Sequence, residues 1–234
     1  MKKLIFNIIL ICSFAVALVS CDETSQDESI ITYYVTIELD GDDPLLVEVG
    51  DEYVEPGYTA TEGDEDVTES VVVTSDVDTN SKGVYTVTYT CTNADGYESS
   101  EERTVVVYDS SITAGLGAGT YTTTNKTYRD YDGTTTAYSG YEIDIDSIAP
   151  GIYYCSDFLG GYYDQYNGYG SSYAMTGYFS LESDNSLELL SSYVSGWGDG
   201  LEYMDGGKYD PETGEIYWMV DYVGYLDFYV YLTK

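Results

Sequence analysis

Apolar and polar residues alternate in short segments from residue 31 to residue 234, and turn-forming residues separate these segments. From residue 85 to residue 91, every second residue is Tyr, Val or Cys, and Thr fills the positions between them. In residues 141–146, Tyr and Ile alternate with Glu and Asp. A period of two places each set of side chains on one face of a β-strand. No long amphipathic helical pattern follows the N-terminal apolar run, so the chain is predicted to be all-β.

Residues 31–109 have the pattern of a first β domain. Gly, Pro, Asn and Asp cluster at several points and divide the region into short strands. The run Val71-Val72-Val73 is apolar throughout, which is typical of a buried strand. Short strands at this spacing predict a β-sandwich. The predicted strands are 31–39, 45–49, 71–73, 84–91 and 103–108.

Residues 119–234 form a second predicted β domain, separated from the first by the small, glycine-rich residues 110–118. This region holds 21 of the 29 tyrosines. About eight short strands in a region of this size predict a compact antiparallel barrel or sandwich that buries its own core. The predicted strands are 119–127, 138–145, 151–155, 173–181, 187–190, 216–220 and 225–232. Residues 209–216 read as a strand, a tight turn and the start of the next strand.

The N-terminus reads as a secretion signal. Lys2 and Lys3 precede an apolar run over residues 4–19, which is too short and too close to the N-terminus to be a good membrane span. The following Leu18-Val19-Ser20-Cys21 resembles the bacterial lipobox, which implies cleavage after residue 20 and attachment of lipid to Cys21. An ordinary signal peptide with a chance cysteine is the alternative.

Residues 22–28 are acidic and polar, so residues 21–30 are expected to form a tether without a core of its own. An acidic run after the lipidated cysteine resembles the surface-export signal of Bacteroidota-type lipoproteins. That resemblance implies a protein held by outer-membrane lipid through Cys21 and facing the cell exterior. The alternative is a solvated linker with no role in export.

Charge and composition exclude several classes of function. Loss of the leader removes two of the eight basic residues and none of the 42 acidic ones, leaving a net charge of −36. A chain this acidic repels nucleic acid and anionic membrane surfaces. It has no histidine, which removes Ser-His-Asp catalysis and most transition-metal sites. Cys91 and Cys155 fall in different predicted domains, so we expect two buried thiols and no disulfide framework.

Acidic turns at residues 64–66 and 76–78 are the candidates for a calcium site. Calcium takes six to eight oxygen ligands, and the chain has no EF-hand spacing. We therefore interpret these turns as solvated and predict no metal site and no cofactor.

A series of ordered motifs in the first domain resembles a known family. The segments are 49–60, 66–68, 77–79, 83–89, 94–96 and 103–107. Together they resemble the immunoglobulin-like module that is appended to many bacterial surface proteins and to an insecticidal crystal toxin. The resemblance implies an N-terminal immunoglobulin-like β-sandwich that serves as a spacer or adhesion module. It brings no catalytic residues with it.

Two features of the second domain are candidates for ligand binding. The first is the Gly- and Tyr-rich segment 160–170, and the second is Trp197, which lies between two glycines. Aromatic rings bind the apolar faces of sugars, while hydroxyl and carboxylate groups bind their rims. The other tryptophan, Trp218, lies mid-strand and is predicted to be core. The candidate residues are Tyr162, Tyr163, Tyr166, Tyr169 and Trp197, with an ordinary surface loop as the alternative.

The layout as a whole resembles uncharacterised Bacteroidota lipoproteins, some of which bind glycans in polysaccharide-uptake systems. Three hypotheses follow. The first is a non-catalytic glycan-binding surface protein. The second is an adhesion or structural protein that binds a protein partner through the same rings, since tyrosine is also enriched in protein interfaces. The third is a glycosidase that uses carboxylates alone, which the absence of a defensible acid pair disfavours.

Overall fold

A computed structural model describes residues 31–113 and 115–234. The predicted signal peptide, the acidic tether and Cys21 lie outside the described residues. Within the described part of the chain, no helix has the length and apolar character needed to cross a membrane. In residues 31–113 and 115–234, strands dominate the fold, and helical structure is confined to three short segments, Thr68–Ser70, Tyr162–Tyr166 and Ser171–Tyr173. The prediction of an all-β protein is confirmed.

The first seven strands build the immunoglobulin-like half. They form a sheet in the order β1-β3-β4 and a second sheet in the order β2-β7-β6-β5. Side chains from both sheets, including Ile37, Ala60 and Val105, meet in one core. This arrangement is the predicted sandwich. The strands are β1 (Val35–Leu39), β2 (Leu45–Glu48), β3 (Tyr58–Glu62), β4 (Glu65–Asp66), β5 (Val72–Ser75), β6 (Gly83–Thr92) and β7 (Glu98–Tyr108).

The hairpin β6–β7 confirms one prediction of the alternation pattern, and strand β5 corrects another. Val87, Tyr89 and Cys91 of β6 are buried, and the Cys91 thiol is free. Val72 was expected to be buried, but it is 62% exposed. The reason is position, because β5 is the outer strand of its sheet and pairs with β6 alone. A sequence pattern cannot distinguish an edge strand from a central one.

The remaining ten strands form one sheet in the C-terminal half. Strand β17 lies at its centre and pairs with β8, β9 and β16. The sheet curls into a half-barrel, and a bridge between Ser186 and Lys208 links the β14 and β15 regions. The strands are β8 (Gly119–Thr123), β9 (Tyr128–Tyr131), β10 (Thr134–Ala137), β11 (Glu142–Ala149), β12 (Ile152–Cys155), β13 (Thr176–Leu181), β14 (Leu187–Tyr193), β15 (Met204–Tyr209), β16 (Ile216–Tyr222) and β17 (Leu226–Thr233).

The curled sheet encloses a large core. Ile143 and Ile145 point into it, as the alternation of residues 141–146 predicts, and Cys155 is buried there as a free thiol. Trp218 is fully buried, which confirms its predicted place in the core. Its indole N–H donates a hydrogen bond to the carbonyl oxygen of Phe158 at 2.8 Å, so the polar atom of this large side chain is satisfied.

A small apolar cluster joins the two halves. Val106 of β7 points away from the sandwich core and packs with Ala149 and Ile152 of the C-terminal sheet. An ion pair between Lys82 and Glu182 also connects the two halves. Because Val106 is fully buried, the C-terminal half covers the outer face of the β6–β7 hairpin at this residue.

Candidate functional site

The carboxylate of Asp157 ties down the segment that carries most of the candidate tyrosines. Its Oδ1 accepts hydrogen bonds from the backbone amides of Leu159 at 2.8 Å and Met175 at 3.1 Å. Its Oδ2 accepts a third from the amide of Gly161 at 3.0 Å. These amides lie at the two ends of the segment, so one buried side chain holds the two ends together. The sequence pattern did not single out Asp157.

The Gly- and Tyr-rich segment is a helical turn followed by a short coil, where the sequence suggested a loop. The amides of Tyr166 and Asn167 donate to carbonyl oxygens five residues earlier, which forms a π-helical turn over Tyr162–Tyr166. Gly161, at φ 78°, precedes this turn, and a Cβ there would lie 2.8 Å from Cβ of Tyr141. Only glycine fits this left-handed position so close to a neighbour.

The turn separates the candidate tyrosines into two groups. Tyr162 is only 5% exposed, so its ring supports the site from below and presents no face to solvent. Tyr163 is half-buried, while Tyr166 and Tyr169 are exposed. Tyr162 packs against Tyr138 at 5.0 Å between ring centroids.

A second turn brings Trp197 to this segment. The amide of Gly196 donates to the carbonyl oxygen of Ser172 at 2.6 Å, which joins two turns that are distant in sequence. The contact is tight, because a Cβ at Gly196 would lie 2.6 Å from Cε1 of Tyr173. Trp197 is therefore held against the Tyr173 ring while remaining 41% exposed.

Five rings form what we call the aromatic cluster, which consists of Tyr163, Tyr169, Tyr173, Trp197 and Tyr222. The Trp197 ring centroid lies 4.7 Å from that of Tyr163, 4.9 Å from that of Tyr173 and 5.7 Å from that of Tyr222. Tyr169 lies 5.5 Å from Tyr173 and 6.0 Å from Tyr163. Three predicted residues thus meet in one cluster, and they bring Tyr173 and Tyr222, which sequence reasoning missed.

Hydrogen bonding and burial set the protonation of the cluster. The Tyr222 hydroxyl donates to Oδ1 of Asp199 at 2.9 Å. Burial raises the pKa of Tyr222 above its ordinary value, and the hydrogen bond to Asp199 raises it further. Burial also raises the pKa of Tyr163. Both hydroxyls are therefore neutral near pH 7 and can both donate and accept hydrogen bonds.

The arrangement offers aromatic faces with hydroxyl and carboxylate groups at their rims. Within the described residues, no group of three or more His, Cys, Asp or Glu side chains is placed to hold a metal ion. The rings offer apolar contact, and the Tyr222 hydroxyl and the Asp199 carboxylate beside them offer hydrogen bonding.

Comparison with known proteins gives two family assignments along the chain. A model of the bacterial surface protein Ig-like domain matches residues 37–107. A second family model, which describes a C-terminal domain, matches residues 109–234. No curated protein matches the chain. The immunoglobulin-like resemblance drawn from the sequence motifs is confirmed.

Solved structures similar to this chain include the lipoprotein BT2262 from Bacteroides thetaiotaomicron. It is 44% identical, and the match covers 86% of this chain and 100% of that one at a TM-score of 0.50. Two structures of Clostridium perfringens ZmpB also match. One holds the CBM51-2 domain with GlcNAc and INT domains, and the other holds the M60 catalytic domain with CBM51-1 and CBM51-2.

The ZmpB matches are 20% and 19% identical, and each covers 52% of this chain at a TM-score of 0.28. They cover 29% and 14% of the ZmpB chains. Similarity at that level bears on neither fold nor function. The match to BT2262 and the match of the C-terminal family model are much stronger than the ZmpB matches. This chain belongs to the family of the lipoprotein BT2262, with a bacterial surface immunoglobulin-like domain in its N-terminal half.

Proposed function

We propose that this protein is a non-catalytic, lipid-anchored surface protein that binds glycan through the aromatic cluster, with the immunoglobulin-like half as a spacer. The observation that carries the proposal is the contact of Trp197 with Tyr163 and Tyr173 at the protein surface. An exposed tryptophan held in place by two other rings is pre-organised for binding, because its side chain has already lost its conformational entropy when the protein folds.

The chemistry of the cluster suits a sugar better than a purely apolar ligand. Sugar rings have apolar C–H faces, which aromatic rings contact, and hydroxyl rims, which need hydrogen-bonding partners. The Tyr222 hydroxyl and the Asp199 carboxylate supply such partners beside Trp197. Tyr166 and Tyr169 extend the exposed aromatic surface, and Tyr162 supports it from within.

The proposed anchor is lipid attached to Cys21, with residues 22–28 as an acidic tether and the outer membrane as the site of attachment. BT2262 is a lipoprotein, and the immunoglobulin-like family is one of bacterial surface proteins. Both support the anchored, outward-facing orientation proposed here. Protection of the protein from added protease on intact cells would contradict the orientation.

Binding without catalysis fits the carboxylates of the site. Hydrolysis by carboxylates alone needs two facing acids, about 5–9.5 Å apart. Asp199 touches the cluster, but it already accepts a hydrogen bond from Tyr222. The cluster itself contributes only aromatic side chains, so it supplies no acid pair.

Affinity gel electrophoresis of the soluble protein, from Asp22 onward, against plant, host and microbial polysaccharides tests the proposal. We expect retardation by at least one glycan and about tenfold weaker binding in Trp197→Ala. Tyr166→Ala should weaken binding less, because this ring lies outside the cluster. Tyr97→Ala, at an exposed tyrosine of the immunoglobulin-like half, is the matched control and should bind normally.

Absence of retardation by every polysaccharide in the panel would overturn glycan binding. It would favour the alternative of a protein partner bound by the same rings. Pull-downs on cell envelopes with wild type and Trp197→Ala would then test whether such a partner depends on the cluster.

A further inference from the structure

The two arginines of this chain lie in very different surroundings. Arg103 of β7 is fully buried, and its guanidinium donates hydrogen bonds to the Asp40 carbonyl oxygen at 2.6 Å and to the Tyr89 hydroxyl at 3.2 Å. It also forms an ion pair with Glu55 at 3.5 Å. The immunoglobulin-like half therefore satisfies the charge of Arg103 from within.

Arg129 of β9 has no comparable partner. None of the ion pairs found between described residues includes it. Its Nε is buried and has no hydrogen-bond acceptor among those residues. A buried donor without an acceptor is costly, and more so when it is charged. Arg129 as a whole is half-buried, so solvent still reaches part of its side chain. An arginine in this state can take an anion from outside the protein.

Aromatic rings surround the Arg129 guanidinium. Its central carbon lies 5.1 Å from the ring centre of Tyr162 and 5.8 Å from that of Tyr131. Cations are attracted to aromatic faces at such distances. The rings hold the guanidinium in place, but they are uncharged, so they do not cancel its positive charge. Tyr131 is 48% exposed, which keeps this side of Arg129 at the protein surface.

Arg129 adjoins the aromatic cluster through direct ring contacts. The Tyr162 ring beside its guanidinium lies 5.0 Å from the ring of Tyr163, which belongs to the cluster. These two rings also pack against Phe228, at 5.4 Å and 6.0 Å. Phe228 is the cross-strand partner of Arg129, and such partners lie on the same face of a sheet. Trp197 follows at 4.7 Å from Tyr163, so one surface carries both the positive charge and the exposed tryptophan.

The neighbouring carboxylates of β9 and β17 do not share this face. Asp130 and its cross-strand partner Asp227 alternate onto the other side of the sheet. The effect of Arg129 is instead felt at the cluster. Burial raises the pKa of Tyr163, and the charge of Arg129 acts against that rise. The cluster therefore has a positively charged edge.

We propose that Arg129 binds the carboxylate of an acidic sugar, so that the glycan held by the aromatic cluster contains a negatively charged residue. A planar guanidinium presents parallel N–H donors that match the two oxygens of a carboxylate. The acidic sugar would lie beside Tyr163, and a neighbouring sugar would stack on Trp197. This inference rests on the proposed function, because the cluster supplies the other contacts to the glycan.

The net charge of the protein restricts which acidic glycan fits. The full chain has a formal net charge of −34, so it repels a densely charged polyanion at long range. At physiological ionic strength salt screens this repulsion beyond about 8 Å, whereas contact with a half-buried arginine is screened much less. We therefore expect a mostly neutral glycan that carries single acidic residues, such as sialic acid or a uronic acid.

Isothermal titration calorimetry with sialyllactose, and with xylotetraose bearing one glucuronic acid, tests the inference. Each acid is compared with its own methyl ester, which keeps the sugars and removes the charge. Wild type should bind at least one acid about tenfold more tightly than its ester. The pair that shows the difference identifies sialic or uronic acid as the source of the carboxylate.

Substitutions of Arg129 separate ligand contact from a structural role. Arg129→Gln should abolish the preference for the acid and leave the affinity for the ester unchanged. Arg129→Lys should keep part of the preference, because an ammonium retains the charge but lacks the planar fork. The matched control is Lys126→Gln, which removes the same charge from a lysine paired with Glu215. It should leave the preference intact.

Four outcomes would overturn the inference while leaving glycan binding standing. The first is equal binding of acid and ester in both pairs, and the second is binding of neither pair while another polysaccharide is retained through Trp197. The third is equal weakening of acid and ester by Arg129→Gln, which would make Arg129 purely structural. The fourth is equal loss of the preference in Arg129→Gln and Lys126→Gln, which would reveal a long-range effect of charge.

A sulfated lactose tests the kind of anion. Its binding in preference to both acids, lost in Arg129→Gln, would overturn the carboxylate in favour of a sulfate group. Loss of every glycan from the polysaccharide panel would instead count against the proposed function itself.

Discussion

Asp157 and Met175 are joined by a hydrogen bond of 3.1 Å from the Met175 backbone amide to the Asp157 carboxylate. The same carboxylate holds the amides of Leu159 and Gly161, so it closes the chain segment that carries Tyr162, Tyr163 and Tyr169. A turn rich in glycine is costly to order. The buried acceptor at its base offsets part of this cost, and it thereby acts on the aromatic cluster without touching a ligand.

Replacing Asp157 with alanine should therefore affect both stability and binding. The change leaves three backbone N–H groups without an acceptor in a buried place, and each such loss costs about 1–3 kcal/mol. We expect the free energy of unfolding to fall by about 3 kcal/mol or more, measured by urea denaturation. Glycan retardation should weaken under conditions where the variant is still folded.

Asp146→Ala serves as the control for Asp157→Ala, because this exposed carboxylate lies on β11, away from the segment. It should change the free energy of unfolding by less than about 0.5 kcal/mol. Equal stability of Asp157→Ala and wild type would show that the three amides find other partners.

Gly196→Ala tests whether the turn that carries Trp197 must contact the turn at Ser172 and Tyr173. The added Cβ would lie 2.6 Å from Cε1 of Tyr173 and 2.9 Å from the Ser172 carbonyl oxygen. The Trp197 turn must therefore move, and glycan affinity should fall about tenfold or more. Gly115→Ala adds a Cβ that meets open space and should leave the affinity unchanged. Retained affinity in Gly196→Ala would mean that the cluster tolerates separation of its two turns.

The two tryptophans should respond differently to solvent. Trp218 is fully buried and hydrogen-bonded to Phe158, whereas Trp197 is partly exposed. In Trp197→Phe, the fluorescence of the remaining Trp218 should be blue-shifted and nearly insensitive to quenching by acrylamide. In Trp218→Phe, the remaining Trp197 emission should be quenched readily and should become protected when glycan binds.

Trp218→Phe should also cost stability. It leaves the buried Phe158 carbonyl oxygen without its donor and opens a space in the core, at a cost of about 2 kcal/mol. Trp197→Phe should cost much less, because its ring lies at the surface. Thermal unfolding of both variants and of wild type measures these losses of stability. Equal losses in the two variants would contradict the placement of Trp218 in the core.

The immunoglobulin-like half should lose stability in acid through Glu55. Burial alone would raise the pKa of Glu55, but hydrogen bonds from Tyr53, Tyr89 and the Gly57 amide, together with the charge of Arg103, lower it overall. Because the folded pKa lies below the unfolded one, this stabilisation is present above about pH 4.3. It is lost as the pH falls through the folded value.

Hydrogen exchange of the β6 and β7 amides between about pH 5 and pH 2.5, corrected for intrinsic exchange rates, measures this loss. Glu55→Gln should be less stable at pH 5 and should show a shallower dependence on pH. Glu98→Gln, at an exposed position of β7, should follow the wild-type slope. An unchanged slope in Glu55→Gln would rule out the Glu55–Arg103 network as the cause.

Local sequence determined much of the fold. The alternation of residues 84–91 and 141–146 predicted the faces of β6 and β11, because side-chain direction in a strand depends only on parity. It did not predict that Val72 is exposed, since edge position depends on which strand lies next to it. It also missed the π-helical turn at Tyr162–Tyr166, whose form is set by Asp157 and by close contact at Gly161.

The sequence by itself determined that the C-terminal half carries a Gly- and Tyr-rich segment and a tryptophan between glycines. These are local features of composition and turn chemistry. Only the tertiary structure decided that Tyr163, Tyr173 and Tyr222 surround Trp197, and that Asp130 faces Asp227 across two strands. These partners are far apart along the chain, and strand pairing in a curled sheet brings them together.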